Sequence, residues 1–186
     1  PVKLLMEDRS FSRPTKARDA DRVLLPRPAY SEFPDLWVSD QQFRSMRKVS
    51  DVNPQQSEYL WGTSDLVEWT SLDGHRLQGI LCKPENFDPA NRYPTLVFFY
   101  ERFSHLLHNY WTPRAPRSSI SPSFYTSRGY LVFIPDIPYK VGFPGDRAVN
   151  AVSGHRATAG EATRSRTCSH ARASLPPRRQ GRRSRT

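Results

Sequence analysis

Three groups of residues have the types and spacing for chemistry. Ser71, Asp73 and His75 place the three residue types of a hydrolytic triad within five positions. In a triad the histidine stands between the other two, and the members come from separate loops. Three residues wrapped around one Asp73-Gly74 turn cannot meet that demand, so Asp73 is assigned to turn chemistry. Glu101, His105 and His108 follow at spacings of four and three, which on a helix would face one way and could hold a metal. The chain has no HExxH and no further carboxylate at ligand spacing, so the expectation there is a solvated or structural role, with no metal and no cofactor. Gly142-Phe143-Pro144-Gly145-Asp146 lacks the Lys-Ser/Thr of a phosphate loop, and Pro144 removes a backbone donor that such a cradle needs. It is expected to shape a surface turn.

The elements that must position these residues are confined to the first 150 or so of 186 residues. Residues 1–152 carry 19 Lys and Arg against 17 Asp and Glu, a net of +2, and residues 153–186 carry 9 Arg against one Glu, a net of +8, which together make the +10 of the whole. All 22 aromatic residues precede residue 153. A segment so poor in apolar side chains cannot offset its ordering entropy, and the tail is expected to be disordered. It could contact phosphates through its arginines, but it offers no aromatic platform for stacking bases, so no specific nucleic-acid partner is expected. Cys82 falls in an apolar run and Cys168 in the tail, which implies neither a disulfide framework nor a zinc cluster. No apolar run approaches the length needed to cross a bilayer, and no signal peptide is visible after Pro1, which leaves the compartment open.

Short strands are expected at Arg22 to Leu25, Asp35 to Ser39 and Arg47 to Ser50, broken by Pro26, Pro28, Pro34 and Asp51-Val52-Asn53-Pro54. Their even spacing is that of a propeller blade. A hairpin follows: in Leu66 to Leu72 the apolar Val67 and Trp69 alternate with polar residues, and Asp73-Gly74 suits a type I′ turn, where both central residues need positive φ. The return strand is His75 to Cys82, and Pro84 to Asn91 is a loop. YPTLVFFY (residues 93–100) and YLVFIP (residues 130–135) are apolar without alternation, as suits strands buried on both faces in a mostly parallel sheet. Ser121-Pro122 and Gly129 bracket a short helix between them, which makes a βαβ unit. Residues 138–146 are read as a surface turn. With a single crossover helix to cover them, the two apolar strands are expected to stay partly exposed and to associate.

With these elements placed, residues Arg22 to Val152 resemble the prolyl oligopeptidase family of serine peptidases, in its dipeptidyl peptidase IV-like and acylaminoacyl peptidase-like branches. The resemblance is carried by FPDLWVSD and DVNPQQ, by EWTSLDGHRLQGILCKPENFDPANRYPTLVFFYE, and by SRGYLVFIPDIPYKVGFPGD, in the family's order. It implies the last strands of a β-propeller over residues 1–56 and the N-terminal part of an α/β-hydrolase domain over residues 57–152. The fold class expected is therefore α/β, with a disordered basic tail over residues 153–186. The resemblance further implies short peptides as substrates of the intact family and no cofactor, and it leaves the oligomeric state open. It matches Tyr100 to the tyrosine that lends its hydroxyl to the oxyanion hole, and it sets Glu101, His105 and His108 in a loop beside the active site.

The chain departs from the family's pattern twice. Glu101-Arg102 stand where many members have a Gly-rich turn. Beyond Val152 the family continues through a helix and a strand into the nucleophile elbow G-x-S-x-G and later supplies Asp and His. No G-x-S-x-G occurs in these 186 residues. Arg, Ala, Ser, Thr, Pro and Gly dominate residues 153–186, the residues of GC-rich codons read out of frame. The expectation is a frameshift near Asn150, in the gene or in its sequencing, that leaves the chain without nucleophile, triad or peptidase activity. The competing expectation is a non-catalytic binding protein whose basic tail contacts nucleic acid or another polyanion.

Overall fold

A computed structural model describes residues 3–114 and 120–153. The expectations of a disordered tail and of a second cysteine at Cys168 fall, apart from Ser153, outside the described residues. Two four-stranded sheets account for the strands that are described.

The first sheet is an antiparallel meander of β1 (Thr15–Lys16), β2 (Val23–Pro26), β3 (Leu36–Ser39) and β4 (Arg47–Lys48), in that order. Val23 and Leu25 of β2 are buried while the residues between and after them are only partly so, the period-two signature of a half-buried strand. Asp35, at the entrance to β3, is buried and accepts hydrogen bonds from Ser50 Oγ at 2.6 Å and from the Val52 amide at 3.0 Å, with Lys48 Nζ 2.8 Å away. That pairing satisfies a carboxylate that is largely shielded from water, and it closes the chain's exit from the meander.

The second sheet runs in the order β5-β6-β8-β7, with β5 Thr63–Thr70, β6 Arg76–Lys83, β7 Thr95–Val97 and β8 Leu131–Pro135. β5, β6 and β8 are antiparallel neighbours, and β7 lies parallel to β8. The sheet is thus mixed, not mostly parallel, because the tight turn after β5 forces β6 back along it. That turn also differs from the expectation. Gly74 has φ +82°, but Asp73 stays out of the positive-φ region, and Leu72-Asp73-Gly74 forms a three-residue loop closed by the Ser71 amide on His75 O at 2.9 Å. A loop of this length needs positive φ only at its last residue, so one glycine suffices. Val67 and Trp69 face inward, and Leu66 and Leu72 face solvent.

β8 is buried along its whole length, as its unbroken apolar run implies. Its side chains divide between two cores: Val132 and Ile134 join Tyr30, Trp61, Ile80 and Cys82 on one face, and Leu131 and Phe133 join Val67 and Leu81 on the other. Trp61 Nε1 donates to the carbonyl of Tyr30 at 2.5 Å, which fastens the N-terminal segment to the first core. Burial pushes the Cys82 thiol up to about 12, so Cys82 packs as a neutral apolar group.

YPTLVFFY does not form the doubly covered central strand expected of it. β7 is three residues long, only half-buried at Leu96, and pairs on one side only among the described residues. A continuous apolar run reads the same whether one ladder edge is occupied or both. The helix between β7 and β8 is α1, Pro122–Thr126, with Gly129 at φ +80° just beyond it. The surface turn expected over residues 138–146 is corrected at its end, where Pro144 opens a second helix, α2, Pro144–Ser153. Proline suits the first helical position because its missing N–H would lack a partner there, and Asp146 lies in the first turn, where an acidic side chain complements the helix dipole.

Candidate functional site

Because β7 and β8 are parallel neighbours, the chain leaves both at the same edge of the sheet. Tyr100 lies three residues past β7, and Asp136 is the first residue past β8. A ladder edge where parallel strands end is where open α/β sheets gather functional groups. Tyr100 is 65% exposed, with its ring at the surface of a loop whose base is fixed on both sides. On one side the Phe98 amide donates to Phe133 O at 2.9 Å, and on the other the Ile137 amide donates to Glu101 O at 3.0 Å. The Phe98 and Phe103 rings of the same segment stack at 5.7 Å and pack against the first core.

Asp136, which the sequence did not single out as a site residue, organises this edge. It is buried, and Oδ1 accepts the Phe103 amide at 2.6 Å and the Ser104 amide at 2.8 Å. Oδ2 accepts Ser104 Oγ at 2.6 Å, and that hydroxyl in turn accepts Gln78 Nε2 at 2.8 Å. An ionised carboxylate is an acceptor only, and a hydroxyl has one proton to give, so the directions of this chain are settled by the groups themselves. Gln78 lies on β6 and its carbonyl accepts the Asp136 amide at 2.9 Å. Three segments therefore meet at one carboxylate: β6, the exit of β8, and the loop that carries Tyr100. A cleft of about 740 Å³ opens beside them, with Gln78, Ser104 and Asp136 in its wall and Arg102 and Lys140 among its cations.

Ser71, Asp73 and His75 are brought together, but in the wrong order for a triad. Ser71 Oγ donates to Asp73 Oδ1 at 2.5 Å, and His75 Nε2 stands 3.7 Å from Asp73 Oδ2. The aspartate sits between the serine and the histidine, and Ser71 Oγ also accepts the His75 amide at 3.0 Å. The serine hydroxyl is thus occupied in closing the turn. Its hydrogen bond holds the Asp73 carboxyl below its ordinary value, against desolvation and with help from His75 and Arg147.

Glu101, His105 and His108 do not share a helical face. Ser104–Leu106 is a single 3-10 turn, and no group of three His, Cys, Asp or Glu side chains arranged for a metal occurs among the described residues. Phe103, Leu106, Leu107 and Tyr110 of the same segment pack on the first core, which accounts for its amphipathic look. Gly142, at φ +86°, makes the bend into α2.

The described fold can be placed among solved structures. It matches Porphyromonas gingivalis dipeptidyl peptidase 4 with a TM-score of 0.60 at 15% identity, over 83% of this chain and 24% of that one. The AtxE2 isopeptidase matches with a TM-score of 0.54 at 15% identity, over 76% of this chain and 20% of that one. Pyrococcus horikoshii acylaminoacyl peptidase matches with a TM-score of 0.50 at 15% identity, over 80% of this chain and 22% of that one. The chain shares its fold with part of these peptidases. It spans only about a fifth to a quarter of their length. No family model and no curated protein matches the sequence.

Proposed function

We propose that the chain is the entry of a serine peptidase catalytic domain of the prolyl oligopeptidase type, preceded by the last strands of a propeller. The observation that supports this best is the parallel pairing of β7 with β8, which puts Tyr100 at the sheet edge where both strands end. A tyrosine hydroxyl there suits the negative charge that develops on a carbonyl oxygen when serine attacks it, and a fixed donor lowers that barrier by about 3 to 4 kcal/mol. The antiparallel meander of β1 to β4 supports the propeller reading, being four strands in sequential order.

In this reading the parent enzyme cleaves short peptides through an acyl-enzyme, and the chain as it stands does not, since no G-x-S-x-G occurs in it. A frameshift near Asn150 accounts for the loss. The side of β7 that meets no strand among the described residues is then the place for a strand that the altered frame no longer encodes. The test is hydrolysis of a chromogenic dipeptide. No turnover is expected from the chain as it stands, and turnover is expected once the reading frame after Asn150 is restored. In the restored chain Tyr100→Phe is expected to lower kcat by about 10² to 10³-fold. Turnover by the present chain, or a downstream DNA that encodes no G-x-S-x-G in any forward frame, overturns the reading.

The charge of residues 153–186, 9 Arg against one Glu, favours a second reading in which the basic tail binds polyanions. Deleting those residues should then abolish retention on heparin, an outcome that leaves the peptidase reading of the body untouched.

A further inference from the structure

We propose that Asp136 is the positioning residue for Tyr100: its carboxylate fixes the loop of residues 98–104 and so aims the tyrosine over the sheet edge. The inference rests on the oxyanion role proposed for Tyr100, and it concerns what holds that group in place. A donor can stabilise developing charge only if its position is set before the charge appears, so a surface tyrosine needs a rigid base. Stacking of Phe98 on Phe103 supplies the apolar half of that base. The polar half converges on one group. Phe103 and Ser104 both donate their amides to Oδ1 of Asp136, and Ser104 Oγ donates to Oδ2.

The burial of Asp136 is costly unless each oxygen is satisfied, and three short charge-assisted hydrogen bonds satisfy them. All three come from the Tyr100 loop. Bonds to a buried charge are strong and directional, so they favour one arrangement of the loop. Gln78 completes the device by donating to Ser104 Oγ, which leaves the hydroxyl proton committed to Asp136. The glutamine is held in turn through its own carbonyl by the Asp136 amide. Tyr100 and Glu101 lie between Phe98 and Phe103, and Glu101 O accepts the Ile137 amide next to Asp136. Both ends of the four-residue arch around the tyrosine are therefore anchored to β8 and its exit.

The test uses the full chain and ¹⁵N relaxation. The amides of Tyr100 and Glu101 are expected to have order parameters near about 0.85, falling below about 0.6 in Asp136→Ala. The amides of Ile80 and Phe133 serve as the control for the sheet and are expected to stay rigid. Asp136→Asn keeps an acceptor for the two amides and is expected to fall between. If Asp136→Ala does not fold, Ser104→Ala carries the test, since it removes the Ser104 Oγ bonds to Oδ2 and to Gln78 and leaves only the longer contact of Gln78 Nε2 with Oδ2 at 3.5 Å. Hydrogen exchange at the Phe103 and Ser104 amides should then rise about tenfold, as expected for loss of one charge-assisted hydrogen bond. Unchanged mobility of Tyr100 and Glu101 in a folded Asp136→Ala, or unchanged exchange in Ser104→Ala, overturns the proposal. If mobility rises as expected but Tyr100→Phe leaves kcat unaltered in the frame-restored chain, the oxyanion role fails and the positioning role of Asp136 stands.

Discussion

Arg147 Nη1 stands 2.7 Å from Asp73 Oδ2, so the first turns of α2 are tied to the loop between β5 and β6. Further along the helix, the Leu72 amide donates to Asn150 O at 3.2 Å and Trp69 Nε1 donates to Ala151 O at 2.9 Å. α2 is thus held at one end by a titratable contact and at the other by neutral ones. Its position is set by the hairpin whose loop gathers Ser71, Asp73 and His75.

The tie to Asp73 should respond to acid. The Asp73 carboxyl lies below its ordinary value when folded, so its contribution is complete above the unfolded value and is lost as pH falls through the folded one. Backbone shifts of Arg147 and its neighbours are expected to move in that acid window while those of Ala151 do not. Asp73→Asn should remove the transition, and because both side chains are partly exposed, salt should weaken the tie at neutral pH. An acid transition that persists in Asp73→Asn would assign it to another carboxylate.

Two glycines should respond in opposite directions. A Cβ at Gly79 would meet Ile134 O at 2.7 Å and the Pro135 Cα at 2.8 Å, both backbone atoms of β8 that cannot step aside. Gly79→Ala is expected to destabilise the fold by about 1 to 3 kcal/mol, the usual range for overpacking. At Gly145, in the first turn of α2, nothing lies within 4 Å of the added atom. Gly145→Ala is expected to stabilise by about 0.4 to 1 kcal/mol, because alanine loses less freedom on entering a helix. Urea midpoints at constant slope measure both, and a neutral Gly79→Ala would refute the close approach of β6 to β8.

These positions also show which parts of the fold were legible in the sequence. β8 and the β5–β6 hairpin were, since a long apolar run and an Asp-Gly loop are local signals. β4 falls inside the strand expected at Arg47 to Ser50, whereas β1, two polar residues long, carries no such signal. Residues 144–153 had one, a proline followed by an acidic residue at a helix start, but Gly142, Pro144 and Gly145 together suggested a loop. Asp136 is the instructive case. Its partners Phe103 and Ser104 lie 33 and 32 residues away, so its contacts follow from the parallel pairing of β7 and β8 and from no pattern near it. Tyr100 was legible as a candidate only through resemblance, because one tyrosine after an apolar run says nothing of where that run ends.

The last prediction concerns β7. It pairs with β8 on one side, and its other ladder edge meets no strand among the described residues. Val97 and Phe99 are 43% and 42% exposed and precede the exposed Tyr100, so an apolar strip lies along a row of unpaired backbone groups. Native sheets blunt such edges with charge, proline or a bulge. Val97, in the strand itself, offers none of these. The chain is therefore expected to associate in a concentration-dependent way on size exclusion with light scattering. Val97→Lys should shift it towards monomer, because a charged side chain on an edge strand opposes the docking of another chain along it. The substitution leaves the β7–β8 ladder in place, as it alters a side chain and no backbone group. A monodisperse monomer with a sharp, cooperative thermal transition before any substitution would show that the edge is closed by something other than a neighbouring chain.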